Sequence, residues 1–192
     1  MATMRALVVT PKDKAVTVQD VPIPQPQPNQ ILVRVGAVAL NRVDWLYTAN
    51  PVAAQDRRVV GSDFAGEVVK VGAHLANHAD PRTKLGTRVA GFVQGGKSTP
   101  YTRISICHGM LADVRTSHCT ACSINERPGA FAQYLVIEWD LVWHVPSSFS
   151  LEQAATVNLC GLTAAQGVFT RLQFPCPFVQ TDGFGRLNLP AG

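Results

Sequence analysis

The sequence predicts a mainly β fold that passes into helices near its end, and three observations carry that expectation. Glycines 61, 66 and 72 bracket the run Gly61-Ser62-Asp63-Phe64-Ala65-Gly66-Glu67-Val68-Val69-Lys70-Val71-Gly72, whose second half is strongly β-forming. Gln30 to Leu40 alternates, with Ile31, Val33 and Val35 on one face and Leu32 and Arg34 on the other. Beyond residue 150, Leu151-Glu152-Gln153-Ala154-Ala155-Thr156 reads as a helix, capped by Ser148 or Ser150 with Glu152 near its first turn.

Taken in order, Met4 to Thr10 reads as a first strand and Ala15 to Val21 as its hairpin partner. Pro22, Pro24, Pro26 and Pro28 then recur at every second position. With strands on both sides, this tract reads as a stiff connector rather than a polyproline ligand for a partner module. At the end of the long strand comes Asn41-Arg42-Val43-Asp44-Trp45, where Asn41 can cap a short helix over Val43–Tyr47 and Asp44 favours its first turn. The glycines at 61 and 66 permit a sharp entry into a tightly packed strand. Gly161-Leu162-Thr163-Ala164-Ala165 begins a second helical segment that runs to about Leu172.

The totals exclude several classes. At 192 residues, 46% hydrophobic and 16% charged, the chain is ordinary globular material, long enough for one full core and part of another. A net charge of +4 is spread thinly; the densest basic cluster is Arg57-Arg58, preceded by Asp56, so a nucleic-acid surface is not expected. The apolar run Ala6 to Val9 is too short for a secretory signal, and nothing reaches transmembrane length. Five cysteines without disulfide spacing fit a reduced, cytoplasmic protein with no membrane partner.

The Gly61–Gly72 run resembles the glycine-rich signature of the medium-chain dehydrogenase/reductase superfamily, and other stretches follow in the family's order. Gly86-Thr87-Arg88-Val89-Ala90-Gly91 is similar to its next strand, and Gly129-Ala130-Phe131-Ala132-Gln133-Tyr134 to a later one. The resemblance implies a GroES-like, partly open β-barrel with short helices, followed by the opening helices of an incomplete Rossmann-type domain. It divides the chain into a catalytic domain over 1–147, the start of a truncated cofactor-binding domain over 148–175, and an off-pattern tail over 176–192. Residues 98–128 interrupt the first domain without any clear period. Ser98 to about Ile124 reads as foreign to the fold, as a retained intron or an imperfect gene model would be.

Zinc alcohol dehydrogenases of this superfamily place catalytic ligands where this sequence has Asn41, Ser62 and Cys160. One thiol cannot hold a catalytic zinc, so no metal residue is expected there. The Cys119-x-x-Cys122 pair in the interruption, with Cys107 or His108, could close a structural zinc tetrahedron, although the spacing differs from the family's cysteine lobe. The Asn-x-x-Asp run at 41–44 and Leu141-Val142-Trp143-His144-Val145-Pro146 resemble the zinc-free branch, and fungal trans-acting enoyl reductases in particular.

That resemblance implies NADPH-dependent hydride transfer to the C=C bond of an α,β-unsaturated acyl thioester in polyketide-type secondary metabolism. The substrate would be a small-molecule or carrier-bound acyl group, and a polyketide synthase a possible partner. By the same resemblance Asn41, Asp44 and Trp45 line the reaction cleft, and Asn41, Val43 and Thr163 meet the cofactor. Asp63 reads as a buried structural carboxylate. Gly183-x-Gly185 is a weak dinucleotide signal, with Asn188 where a third glycine would stand. The chain is therefore expected to bind NADPH poorly and not to turn over as written. A quinone oxidoreductase and a non-enzymatic GroES-like or zinc-binding interaction module are the alternatives.

Overall fold

The computed structural model describes residues 2–10, 15–49, 58–93 and 129–174. Strands β1 (Thr3–Thr10) and β2 (Ala15–Pro22) form the expected antiparallel hairpin, with Thr3 opposite Pro22 and Thr10 opposite Ala15. The proline tract that follows is a connector pinned by its own carbonyls. Gln27 O accepts from Gln30 N–H, and Pro28 O accepts from His74 N–H.

Five further strands form one antiparallel sheet: β3 (Gln30–Ala39), β4 (Asp63–Val71), β5 (Arg88–Phe92), β6 (Tyr134–Glu138) and β7 (Val142–His144). Their order across the sheet is β6-β3-β4-β5-β7. Register slips between Leu32 and Val33 and between Val35 and Ala37 bend the central pair, as extra residues in one strand do. Strand β1 of the hairpin meets the segments leading into β4 and β6 through isolated bridges, Ala6 to Ala132 and Val8 to Val59. Among the described residues the strands do not pair into a closed ring, so the barrel is open.

One face of the sheet holds the main core. Ile31, Val33, Phe64, Val68, Val89, Leu135 and Ile137 are buried together there, as the alternation in β3 predicts. On the other side, helix α2 (Leu151–Ala165) packs against β3, β4 and β5. Small residues make that contact: Ala65 and Ala90 from the sheet meet Ala154 and Ala155 from the helix, with Val145 beside them. Two glycines carry the signature run. Gly61 has φ +97°, and a Cβ there would lie 2.3 Å from the Phe131 ring. A Cβ on Gly66 would sit 2.1 Å from the Arg34 carbonyl oxygen, so only glycine lets β3 and β4 approach.

Two expectations about helices need correcting. The segments anticipated as separate at Leu151 and Gly161 are one continuous helix, closed by a π-helical turn over Gln166–Arg171. Gly161 does not end it, because helical φ and ψ remain open to glycine at a modest cost. Ser150 is the cap: its Oγ accepts from Gln153 N–H while the Gln153 side chain accepts from Ser150 N–H. Helix α1 (Arg42–Ala49) forms where expected but is not capped by the Asn41 side chain, which turns elsewhere.

A polar cluster fastens the sheet where β7 begins. Asp80 and Arg82 form a two-pronged pair, Nε to Oδ1 at 2.9 Å and Nη2 to Oδ2 at 2.6 Å. Arg82 also donates to the Val142 carbonyl at 2.9 Å and lies over the Trp139 ring, 4.8 Å from its centroid. At the entry to β4, consecutive residues receive the two sides of the 94–128 interval. Val93 N–H donates to Ser62 O at 2.8 Å, and Ala130 N–H donates to Gly61 O at 3.0 Å.

Candidate functional site

The site forms where β3 ends, β4 begins and α2 passes over both. Asn41 leaves β3 half-buried, and Asp63 opens β4 with 1% of its surface exposed. Asn41 Nδ2 donates to Asp63 Oδ2 at 2.8 Å. The other carboxylate oxygen of Asp63 accepts from Leu159 N–H in α2 at 2.9 Å. One carboxylate thus joins the end of a strand to the middle of a helix.

Asp44 supplies the second anchor. It is buried on α1, and its Oδ2 accepts from the main-chain N–H of Asn41 at 2.8 Å. Its Oδ1 accepts from Ser62 Oγ at 2.6 Å. Ser62 is itself buried, so its hydroxyl is committed to Asp44. On the helix side, Cys160 is exposed and its thiol donates to Asn41 Oδ1 at 3.3 Å.

The positions expected to matter for a metal therefore do converge, as an amide, a hydroxyl and a thiol. Asn41 and Cys160 touch, and Ser62 reaches them through Asp44. Among the described residues no three His, Cys, Asp or Glu side chains gather to hold a metal ion. Cys107, His108, Cys119 and Cys122 lie outside the described residues, as do Gly183, Gly185 and Asn188.

Burial dominates the electrostatics of Asp63 and pushes its carboxyl above the ordinary value of 3.8. The bonds from Asn41 and from Leu159 N–H oppose that rise, and the negative charge of Asp44 adds to it. Among the described residues no lysine or arginine pairs with Asp63.

The remaining site residues lie around this centre. Trp45 follows Asp44 on α1 and is 65% exposed, with Leu40 on the other side of Asn41 also open to solvent. Val43 is half-buried on α1. Thr163 stands three residues beyond Cys160 on α2, a spacing that shares a helix face, and its Oγ donates back to Leu159 O at 2.7 Å. Asn41, Trp45, Cys160 and Thr163 all show surface to solvent.

Sequence reasoning missed what holds the helix in place. Asn158 is buried, accepts from Trp143 Nε1 at 2.7 Å and donates to Phe64 O at 3.3 Å. A signal was available: Asn158 shares the apolar face of Ala154 and Ala155, where a lone amide must find partners.

Comparison with known proteins bears on the family. The alcohol dehydrogenase GroES-like domain matches residues 27–147. The trans-enoyl reductase resD of Aspergillus sclerotiorum is 34% identical over 192 residues, covering 98% of this chain and 45% of its own length. The dehydrogenase pigH of Monascus ruber is 35% identical over 161 residues, covering 81% of this chain and 36% of its own. In fold, the chain is similar to the quinone oxidoreductase from Coxiella burnetii, with a TM-score of 0.64 at 21% identity over 93% of this chain and 48% of that one. The chain thus spans less than half the length of these relatives.

Proposed function

The chain belongs to the alcohol dehydrogenase GroES-like domain family of the medium-chain dehydrogenase/reductase superfamily, and from that premise we propose that it is the substrate-side part of a zinc-independent, NADPH-dependent enoyl reductase. Its substrate class is an α,β-unsaturated acyl thioester, delivered free or on a carrier, and its partner a polyketide synthase. The relatives named trans-enoyl reductases support this choice within the family. The observation that carries it is the contact between Asn41 and Cys160, backed by Asp63 and Asp44. Positions that would hold a catalytic metal are here engaged with one another.

On this reading the nicotinamide end of the cofactor would lie against Asn41, Trp45 and Thr163. Asn41, Trp45 and Thr163 all show surface to solvent, and Asn41 touches Cys160 on the helix that carries Thr163. NADPH, when bound, supplies the hydride. Asn41 and Thr163 would orient the carboxamide of its ring, Val43 would pack beside it, and Trp45 would exclude water from the acyl chain. Asp44 acts on the reaction through Asn41, whose main chain it holds. Without a Lewis acid, the enolate oxygen must be met by fixed donors, since preorganised hydrogen bonds are worth most in a dry site.

A chimera tests this reading. Residues 1–165 joined to the remaining part of the A. sclerotiorum relative should oxidise NADPH with an enoyl thioester in preference to a quinone. Asn41→Ala in that chimera should lower turnover about a hundredfold, the scale of losing one oriented polar group. A preference for quinone, or an unchanged rate in Asn41→Ala, would overturn the reading.

A further inference from the structure

We infer that Asp63 is a positioning residue that fixes which end of the Asn41 amide faces the open side of the site. An asparagine side chain is nearly symmetric in shape, so packing alone does not choose between its oxygen and its nitrogen. A carboxylate can choose, because when ionised it only accepts. Asp63 Oδ2 takes the Nδ2 end at 2.8 Å, which leaves Oδ1 turned toward Cys160 at 3.3 Å.

The selector is itself held on three sides. Asp63 pairs with Ala39 of β3 and with Phe92 of β5, so its backbone is fixed by two strands. Its second oxygen is claimed by Leu159 N–H, which stops the carboxylate from rotating away. Asp44 meanwhile fixes the main-chain N–H of Asn41. Asn41 thus has one orientation, set from the buried side and displayed on the exposed side. For its importance in reduction the inference rests on the reading of Asn41 as a cleft residue, but its test uses no reactant.

Asp63→Asn is the informative variant. Leu159 N–H would claim the oxygen of the new amide and leave its NH₂ facing Asn41, so Asn41 must flip to offer its oxygen. Cys160 then meets an N–H donor in place of a carbonyl acceptor, so the sulfur is no longer engaged as a donor to Asn41 and is freer to react. In the full 192-residue chain, one Asn41 amide proton should resonate downfield of free asparagine and return toward it in Asp63→Asn. Alkylation of Cys160, followed by peptide mass spectrometry, should quicken roughly three- to tenfold, the scale of one neutral hydrogen bond. Asn41→Ala should abolish any further response to Asp63→Asn in the double variant, with the other cysteines as internal references.

An Asn41 amide at the free position in the wild-type chain overturns the inference, as does an unchanged Cys160 rate in folded Asp63→Asn. If that variant does not fold, the wild-type amide resonance decides alone. Failure here leaves the reductase reading standing, and failure of the chimera leaves this result untouched.

Discussion

Asp80 and Asp63 are treated in opposite ways. Asp80 has Arg82 fastened to it by two bonds, and the guanidinium holds its carboxyl down to about 2. Asp63 has an amide and a backbone N–H for partners, and burial pushes its carboxyl up. A carboxylate paired with a cation makes the fold firmer; one buried against neutral donors costs stability and instead sets a geometry. The contrast separates the part of the molecule that is built to last from the part that is built to present an amide.

The sharpest way to test that contrast is to remove Arg82. Arg82→Ala loses the two-pronged pair, the bond to Val142 O and the Trp139 stack, and should destabilise the chain by about 3 kcal/mol in denaturant unfolding. A smaller effect is expected from Asp80→Asn, about 1–2 kcal/mol at neutral pH. Because the folded value of Asp80 is lowered, its contribution is fully present above the ordinary value of 3.8 and is lost as pH falls toward about 2. Acid titration of the unfolding midpoint should therefore be flatter in Asp80→Asn, and an unchanged acid limb would break the comparison.

Asp63 carries the opposite sign and the smallest effect. Its folded value is raised, so the favourable contribution is complete below 3.8 and is lost as pH rises through that raised value. Asp63→Asn should remove this trend and leave the chain, near neutral pH, within about 1 kcal/mol of wild type or slightly more stable. A large loss of stability in Asp63→Asn would place Asp63 with Asp80 as a structural anchor and erase the distinction drawn between them.

The strands were legible because their causes are local. Alternation in β3 and the glycines at 61 and 66 announce one buried face and one close approach, and the capping box at Ser150 announces a helix start. The partly open barrel came from family likeness, not from periodicity. The site was only half legible. Asn41 could be marked as a candidate, but a capping role is the default for asparagine before a helix, and nothing local says that its side chain meets a carboxylate 22 residues away. The commitment of Ser62 to Asp44 and the clasp of Arg82 on Trp139 and Val142 were invisible for the same reason. Such contacts depend on how the sheet bends, and short motifs do not encode bending.

The paired docking of Val93 on Ser62 and Ala130 on Gly61 has a consequence for how this domain tolerates change. Val93 and Ala130 bond to neighbouring carbonyls of one strand entry, so the two ends to be joined are held close together by the sheet itself. Closure entropy between ends so fixed grows slowly, by about 0.6 kcal/mol for each doubling of the intervening length, so changes in that length cost the domain little.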